Sequence, residues 1–368
     1  MTVETEKSHS LSSSGGWIRH PPAMDHLVII NATTKLVLDL LRAGVAQEEI
    51  AGAFAEHFDL PLDKAASDVE SICAELDDAN VETSDASSIE GDEIDCGAWR
   101  FGEHDVHIVS SAPELTRDYF ARFAHAVATP SAEAAQLRLS IADDGYRLTL
   151  NGESRWIGDT LPELIARMNE LFLGWEHPGV ELLAYFHAAA VSRDARAILV
   201  PGSSDAGKST LVAYLSGHGF SYLGDDLIGL SAHDWSLRPL PTLLSLKSGS
   251  WKILEGLFPE LPDRPILRRQ GSDVRYVAPS ASERSSCAPA MMLFPAYAPD
   301  TAATLAELTP LQTITRLLGS ARDIEAPVTE AKIAEICRFI ESTPAYELRY
   351  GDLVEAAKLV EGALDANG

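Results

Sequence analysis

The residues whose types and spacing point most directly to chemistry run from Val200 to Thr210, Val-Pro-Gly-Ser-Ser-Asp-Ala-Gly-Lys-Ser-Thr. From Gly202 to Ser209 they read G-x-x-x-x-G-K-S, the pattern of a phosphate-binding P-loop. Backbone N–H groups of Gly202, Ser203, Ser204, Asp205, Ala206 and Gly207 would converge on phosphate oxygens. The start of a following helix, through Thr210, would add partial positive charge. Lys208 would reach the β- and γ-phosphates, and Ser209 would hold Mg²⁺. Both flanks agree. Arg196-Ala-Ile-Leu-Val200 is an apolar run suited to a buried strand, and Leu211, Val212 and Leu215 suit a helix. The pattern implies a bound nucleotide, with ATP and Mg²⁺ as the expected cofactors.

A second set of candidates surrounds this loop in sequence. The stretch Gly219–Leu230 is apolar apart from two adjacent acids, Asp225 and Asp226. Carboxylates are costly to bury unpaired, but they make sense at a strand's carboxyl end, where phosphates and a metal would sit. They join Ser209 as the expected metal ligands. His187 lies in the apolar run Glu181–Val191, read as helical, just before the loop's strand. Lys247, in Leu246-Lys247-Ser-Gly-Ser250, is a candidate for phosphate or substrate contact. Arg264, Arg268, Arg269 and Arg275 form the one basic cluster of a very acidic chain. They suit either a nucleotide or acidic substrate, or an ordinary solvated surface.

Composition bounds the rest. The chain has 368 residues and a net charge of −26, enough length for two or three domains and the wrong sign for nucleic acid or anionic membrane. Cys73, Cys96, Cys287 and Cys337 are far apart, without C-x-x-C or zinc spacing, and read as reduced core residues. No apolar secretory segment opens the sequence and no run approaches the ~20 apolar residues of a membrane span, so the expected location is cytoplasmic. Partners are expected to be a peptide or a small hydroxyl-bearing substrate, with self-association into a homo-oligomer left open.

The elements that must position these residues can be read in order. Residues 1–21 are polar and Ser/Gly-rich, and are expected to be a disordered tail. Residues 22–84 carry three short amphipathic helices, with Ile50, Phe54 and Phe58 on one face of the second and Ala65, Val69, Ile72 and Leu76 along the third. Their third helix is acidic, which argues against a DNA-binding module. Residues 85–95 are an acidic linker. Residues 96–179 mix strands and helices, with hairpin turns at Asp143-Asp-Gly145 and Asn151-Gly152, and read as a supporting lobe without a catalytic constellation of its own. Residues 180–368 form the nucleotide-binding domain, completed by later helices starting near Pro310, Thr329 and Asp352. The expected fold class is therefore α/β.

Two resemblances sharpen this reading. Asn31-Ala-Thr-Thr-Lys-Leu-Val-Leu-Asp-Leu-Leu, Glu48-Glu-Ile-Ala and Asp68-Val-Glu-Ser-Ile-Cys-Ala-Glu-Leu resemble the PqqD family of winged-helix-like peptide-binding chaperones, the RiPP recognition elements. That resemblance implies a leader peptide held as an added strand beside the helices. The order His187, Gly202–Ser209, Gly224-Asp-Asp226, then Leu246-Lys247 resembles the catalytic domain of HPr kinase/phosphorylase, and more closely the HPr-kinase-related proteins. It implies a kinase core in which His187 lies near the transferred phosphate while Asp225 and Asp226 serve the acceptor hydroxyl and the metal. The Glu-Val-Arg-Gly-Leu-Gly-type signature of true HPr kinases is missing, so HPr as substrate and phosphorylase activity do not carry over. Together the resemblances imply an ATP-dependent kinase acting on Ser or Thr of a ribosomal precursor peptide. The alternatives are a small-molecule hydroxyl kinase and a nucleotide-gated chaperone without phosphoryl transfer.

Overall fold

The structure, a computed structural model, describes residues 93–129, 131–142, 145–158, 161–202, 206–269, 272–318, 321–324 and 329–367, with 9–10, 17–19, 28–30, 50–52, 66 and 69. It is a mixed α/β protein with several sheets. No helix among the described residues is long and apolar enough to cross a membrane. The chain divides into two compact units. One comprises Met1–Asp85, Thr309–Leu318 and Asp323–Ser342; the other comprises Ala86–Leu308, Gly319–Arg322 and Thr343–Gly368.

Most of the helical module read at 22–84 lies outside the described residues, although Ile50 and Val69 are both helical and buried. The opening segment differs from expectation. His9–Ser10 pairs antiparallel with Trp17–Arg19, which pairs in turn with Val28–Ile30. The aromatic and β-branched residues of Trp17-Ile18 and Val28-Ile-Ile30 are good strand formers, and they outweigh the polar Ser/Gly composition around them. In the same unit the helix Pro310–Leu318 packs on Glu330–Ser342, whose start is capped by Thr329 Oγ1 accepting from Lys332 N at 3.2 Å. Both helices fall in the compact unit that also holds Met1–Asp85. Their apolar faces carry no label saying which core they join.

The second unit holds two larger sheets. In the first, the strand order is Val127–Ala128, Ile94–Phe101, His104–Ser110, Ala135–Ala142, Gly145–Leu150, Glu153–Gly158. Its first long strand starts at Ile94, inside the stretch read as acidic linker: Glu93 pairs with Arg138 and Asp95 with His107 across the sheet. The helix Leu161–Glu176 buries Leu164, Met168, Phe172 and Leu173 against Phe101, Val106 and Leu137. Phe101 stacks on Phe172 at 4.1 Å and meets Phe123 edge-on at 5.1 Å. These contacts seat the 3-10 turn Ala121–Ala126 in the apolar interior.

The other sheet runs Ser221–Gly224, Ala188–Arg193, Arg196–Pro201, Ala288–Tyr297, Ala345–Tyr350, Thr304–Glu307. Arg196–Pro201, Ala288–Tyr297 and Ala345–Tyr350 are parallel neighbours, and the apolar runs Ala197–Pro201 and Met291–Pro295 are buried throughout. Ala188–Arg193 turns into Arg196–Pro201 through Asp194 and Ala195, both at positive φ (53° and 59°), the backbone of a two-residue hairpin. The run around His187, read as helical, is instead two strands, Leu182–Phe186 and Ala188–Arg193, in different sheets. A continuous apolar run has no periodicity to separate helix from strand. The helix Lys208–Ser216 buries Leu211, Val212 and Leu215 against this sheet, and Asp352 caps Leu353–Ala366 by accepting from Glu355 N at 2.9 Å. Cys287 and Cys337 are buried and Cys96 half-buried, all as free thiols; burial pushes the Cys337 thiol up to about 11. Cys73 lies outside the described residues.

Gly102 closes the Phe101–His104 hairpin at φ +58°, and a Cβ there would strike the Trp175 carbonyl. Gly102→Ala is therefore expected to cost ~1–3 kcal/mol of stability, while Gly249→Ala, where a Cβ would meet open space, is expected to change it by less than ~1 kcal/mol. Urea unfolding midpoints of the two variants check the contrast.

Candidate active site

Strand ends bring the candidate residues together. Arg196–Pro201 delivers the glycine-rich loop, and Ser221–Gly224 delivers Asp225 and Asp226 immediately beyond its end. Within the loop, Gly202, Ala206, Gly207, Lys208, Ser209 and Thr210 are described, whereas Ser203, Ser204 and Asp205 lie outside the described residues. Gly207 sits at φ +93° directly before the helix Lys208–Ser216, which starts without a side-chain cap. A Cβ on Gly207 would come 2.7 Å from the Tyr350 hydroxyl, so this position requires glycine on two counts. A helix start of this kind is where amide donors and the helix dipole favour an anion.

Lys208 is buried, and its Nζ donates to the Gly202 carbonyl at 2.7 Å, folding the side chain back along its own loop. Ser209 Oγ donates to Asp225 Oδ2 at 2.6 Å. This contact joins the loop to the acid pair across 16 residues of sequence. Asp225 is 3% exposed. Its carbonyl accepts from Thr242 Oγ1 at 3.5 Å, and the Tyr222 hydroxyl stands 3.0 Å from that same threonine oxygen. Complete burial, reinforced by Asp225, pushes the Tyr222 phenol well above its ordinary value, which keeps it a neutral donor.

Asp226 is held differently. Its φ is +88°, a conformation that a residue with a side chain rarely adopts. Such outliers persist where the surroundings over-determine them. Here the backbone carbonyl of Asp226 faces His187 Nδ1 at 3.1 Å, and its carboxylate Oδ2 accepts from Arg122 Nη1 at 2.8 Å. His187 occupies the single residue between the two strands that replace the expected helix.

Arg122 is the functional residue that sequence reasoning missed. It comes from the 3-10 turn Ala121–Ala126, in the lobe expected to carry no site residues, and is 2% exposed. Its Nη2 donates to Asn169 Oδ1, which also accepts from the Tyr119 hydroxyl at 2.6 Å. The guanidinium lies over the rings of Tyr119 (4.2 Å) and Phe123 (4.9 Å). An arginine inside Tyr119-Phe-Ala-Arg-Phe123 was the available signal, since a cation in so apolar a turn needs a buried partner. The Arg122 carbonyl also accepts from Leu243 N at 2.7 Å, fixing the turn to the chain entering Leu244–Lys247.

Lys247 ends that strand opposite Val274, and its backbone begins the helix Ser248–Leu254. Of the basic cluster, Arg268, Arg269 and Arg275 lie on the paired strands Leu267–Arg269 and Ser272–Val277. Arg268 pairs with Asp273 at 2.6 Å, Arg275 lies over the Trp251 ring at 4.2 Å, and Arg264 is exposed. The oxygens of Ser209 and Asp225 form a hard donor pair of the kind Mg²⁺ takes. No group of three or more His, Cys, Asp or Glu side chains placed to hold a metal occurs among the described residues. Compared with protein-family models and with curated proteins, the chain matches none.

Removing one member of a buried ion pair strands the other. Arg122→Met is expected to lower stability by ~3–5 kcal/mol, and adding Asp226→Asn to restore much of the loss, because the amide needs no counter-charge. A double-mutant cycle in urea measures the coupling; strictly additive losses would show that the pair contributes nothing.

Proposed function

We propose that the chain is an ATP-dependent kinase that transfers the γ-phosphate to a hydroxyl, with Ser or Thr of a ribosomal precursor peptide as acceptor. The observation that carries this reading is the 2.6 Å contact between Ser209 and Asp225, which joins the glycine-rich loop to the first of the two adjacent acids. A loop that only bound nucleotide would have no need of two carboxylates at its mouth. The resemblance to the HPr-kinase-related proteins points the same way.

In this reading the loop amides and Lys208 hold the β- and γ-phosphates, with the Lys208 ammonium leaving the Gly202 carbonyl for phosphate oxygen. Ser209 and Asp225 hold Mg²⁺, which when bound neutralises charge on the phosphate oxygens. Asp226 accepts the hydroxyl proton as the acceptor oxygen bonds the γ-phosphorus and the bond to the β–γ bridging oxygen breaks, releasing ADP. Arg122 and the strained backbone fix the direction of that carboxylate. The transition state of phosphoryl transfer is loose, so placing the carboxylate counts for more than its strength as a base. In the same reading His187, bonded to the Asp226 carbonyl, contacts the transferring phosphate. The PqqD-like segment would hold the leader of the precursor and raise the local concentration of its acceptor residue.

The test is transfer of label from [γ-³²P]ATP with Mg²⁺ to precursor peptides carrying Ser or Thr, beside free hydroxy amino acids. Peptide is expected to gain one phosphate, and Lys208→Ala and Asp226→Asn each to lower transfer by ~10²-fold or more while remaining folded. Undiminished transfer by both variants overturns the reading; preference for a small hydroxy compound over every peptide overturns its substrate half.

A further inference from the structure

We propose that Tyr297 is the platform on which the base of the nucleotide stacks. The inference rests on the nucleotide-binding reading above and adds what that reading lacks, a contact for the half of the ligand that carries no phosphate.

Tyr297 is the last residue of Ala288–Tyr297. That strand is the parallel neighbour of Arg196–Pro201, so both end on the same side of the sheet, where the glycine-rich loop begins. In open α/β sheets ligands bind at this carboxyl edge. The strand is buried from Met291 to Pro295, yet Tyr297 is 52% exposed. Its Cβ lies 3.5 Å from the point a Cβ of Gly207 would occupy, which sets the side chain directly against the last loop residue before the helix.

The ring is also held. It meets Tyr350 at 5.8 Å with an interplanar angle of 66°, an edge contact. Tyr350 is 1% exposed, and its hydroxyl reaches the Gly207 carbonyl at 3.5 Å. Burial first, and Tyr297 second, hold the Tyr350 phenol far above its ordinary value, so it remains a neutral donor to the loop. Ala298 N donates to the Tyr350 carbonyl at 2.8 Å, which fixes the backbone immediately after Tyr297. The loop, a buried tyrosine and a half-exposed tyrosine therefore form one rigid corner. An aromatic ring tied down at its edge, with much of its surface in water, loses little freedom when a flat ligand covers it. A nucleotide whose phosphates lie against the loop amides presents its base just beyond them. Bases stack on tyrosine whatever their hydrogen-bonding edge, because each has a π face.

The experiment uses the full chain and calorimetric titration with two probes, MgATP and magnesium tripolyphosphate, which keeps the phosphates and lacks the base. Tyr297→Ala is expected to weaken MgATP by ~10-fold and to leave tripolyphosphate within ~2-fold of wild type, while Tyr297→Phe binds both as wild type does. Equal weakening of both probes in Tyr297→Ala would mean that the ring only props the loop, and no weakening of either would mean that it touches no ligand; both results overturn the proposal. If wild type binds neither probe, the nucleotide reading itself fails and the platform falls with it. Binding of tripolyphosphate without any gain for MgATP overturns the platform alone.

Discussion

The guanidinium of Arg122 is taken almost wholly out of water, and the rest of the site depends on how its charge is met. One Nη reaches the Asp226 carboxylate, the other reaches Asn169, and two aromatic rings cover its faces. Its Nε is buried with no hydrogen-bond partner among the described residues. Desolvating a charged pair is expensive, and an apolar replacement of similar volume is often at least as stable. The gain from this pair is geometric. It aims Asp226 from a lobe that would otherwise only cover the core.

Asp226 is constrained from three directions at once. Arg122 holds the carboxylate, His187 meets the carbonyl, and the backbone is set at φ +88° by the turn between Ser221–Gly224 and Ile228–Ser231. Its neighbour Asp225 accepts from Ser209, with its carbonyl tied through Thr242 to Tyr222. Adjacent acids thus receive different partners, one joined to the loop and one to the lobe.

The second unit gives these contacts a stiff frame. The aromatic interior of the lobe, from Trp99 to Trp175, locks the turn bearing Arg122, and the parallel strands lock the loop. The Arg122 carbonyl accepts from Leu243, so the same turn that supplies the cation also pins the approach to Leu244–Lys247.

What the sequence by itself determined is what local physics encodes. The strand before Gly202–Ser209 and the helix after it were legible because the apolar pattern of each flank is written in consecutive residues. The hairpins beyond Ala142 and Leu150 followed from Asp-Asp-Gly and Asn-Gly, and the helix starts at Thr329 and Asp352 from their side-chain oxygens. The tertiary structure alone decided the rest. Arg122 and Asp226 are 104 residues apart, and nothing local to either names the other. The run around His187 became two strands because an apolar stretch without period takes the form its neighbours impose. Pro310–Leu318 and Glu330–Ser342 formed as their own residues dictate, but that their apolar faces meet each other belongs to the folded chain.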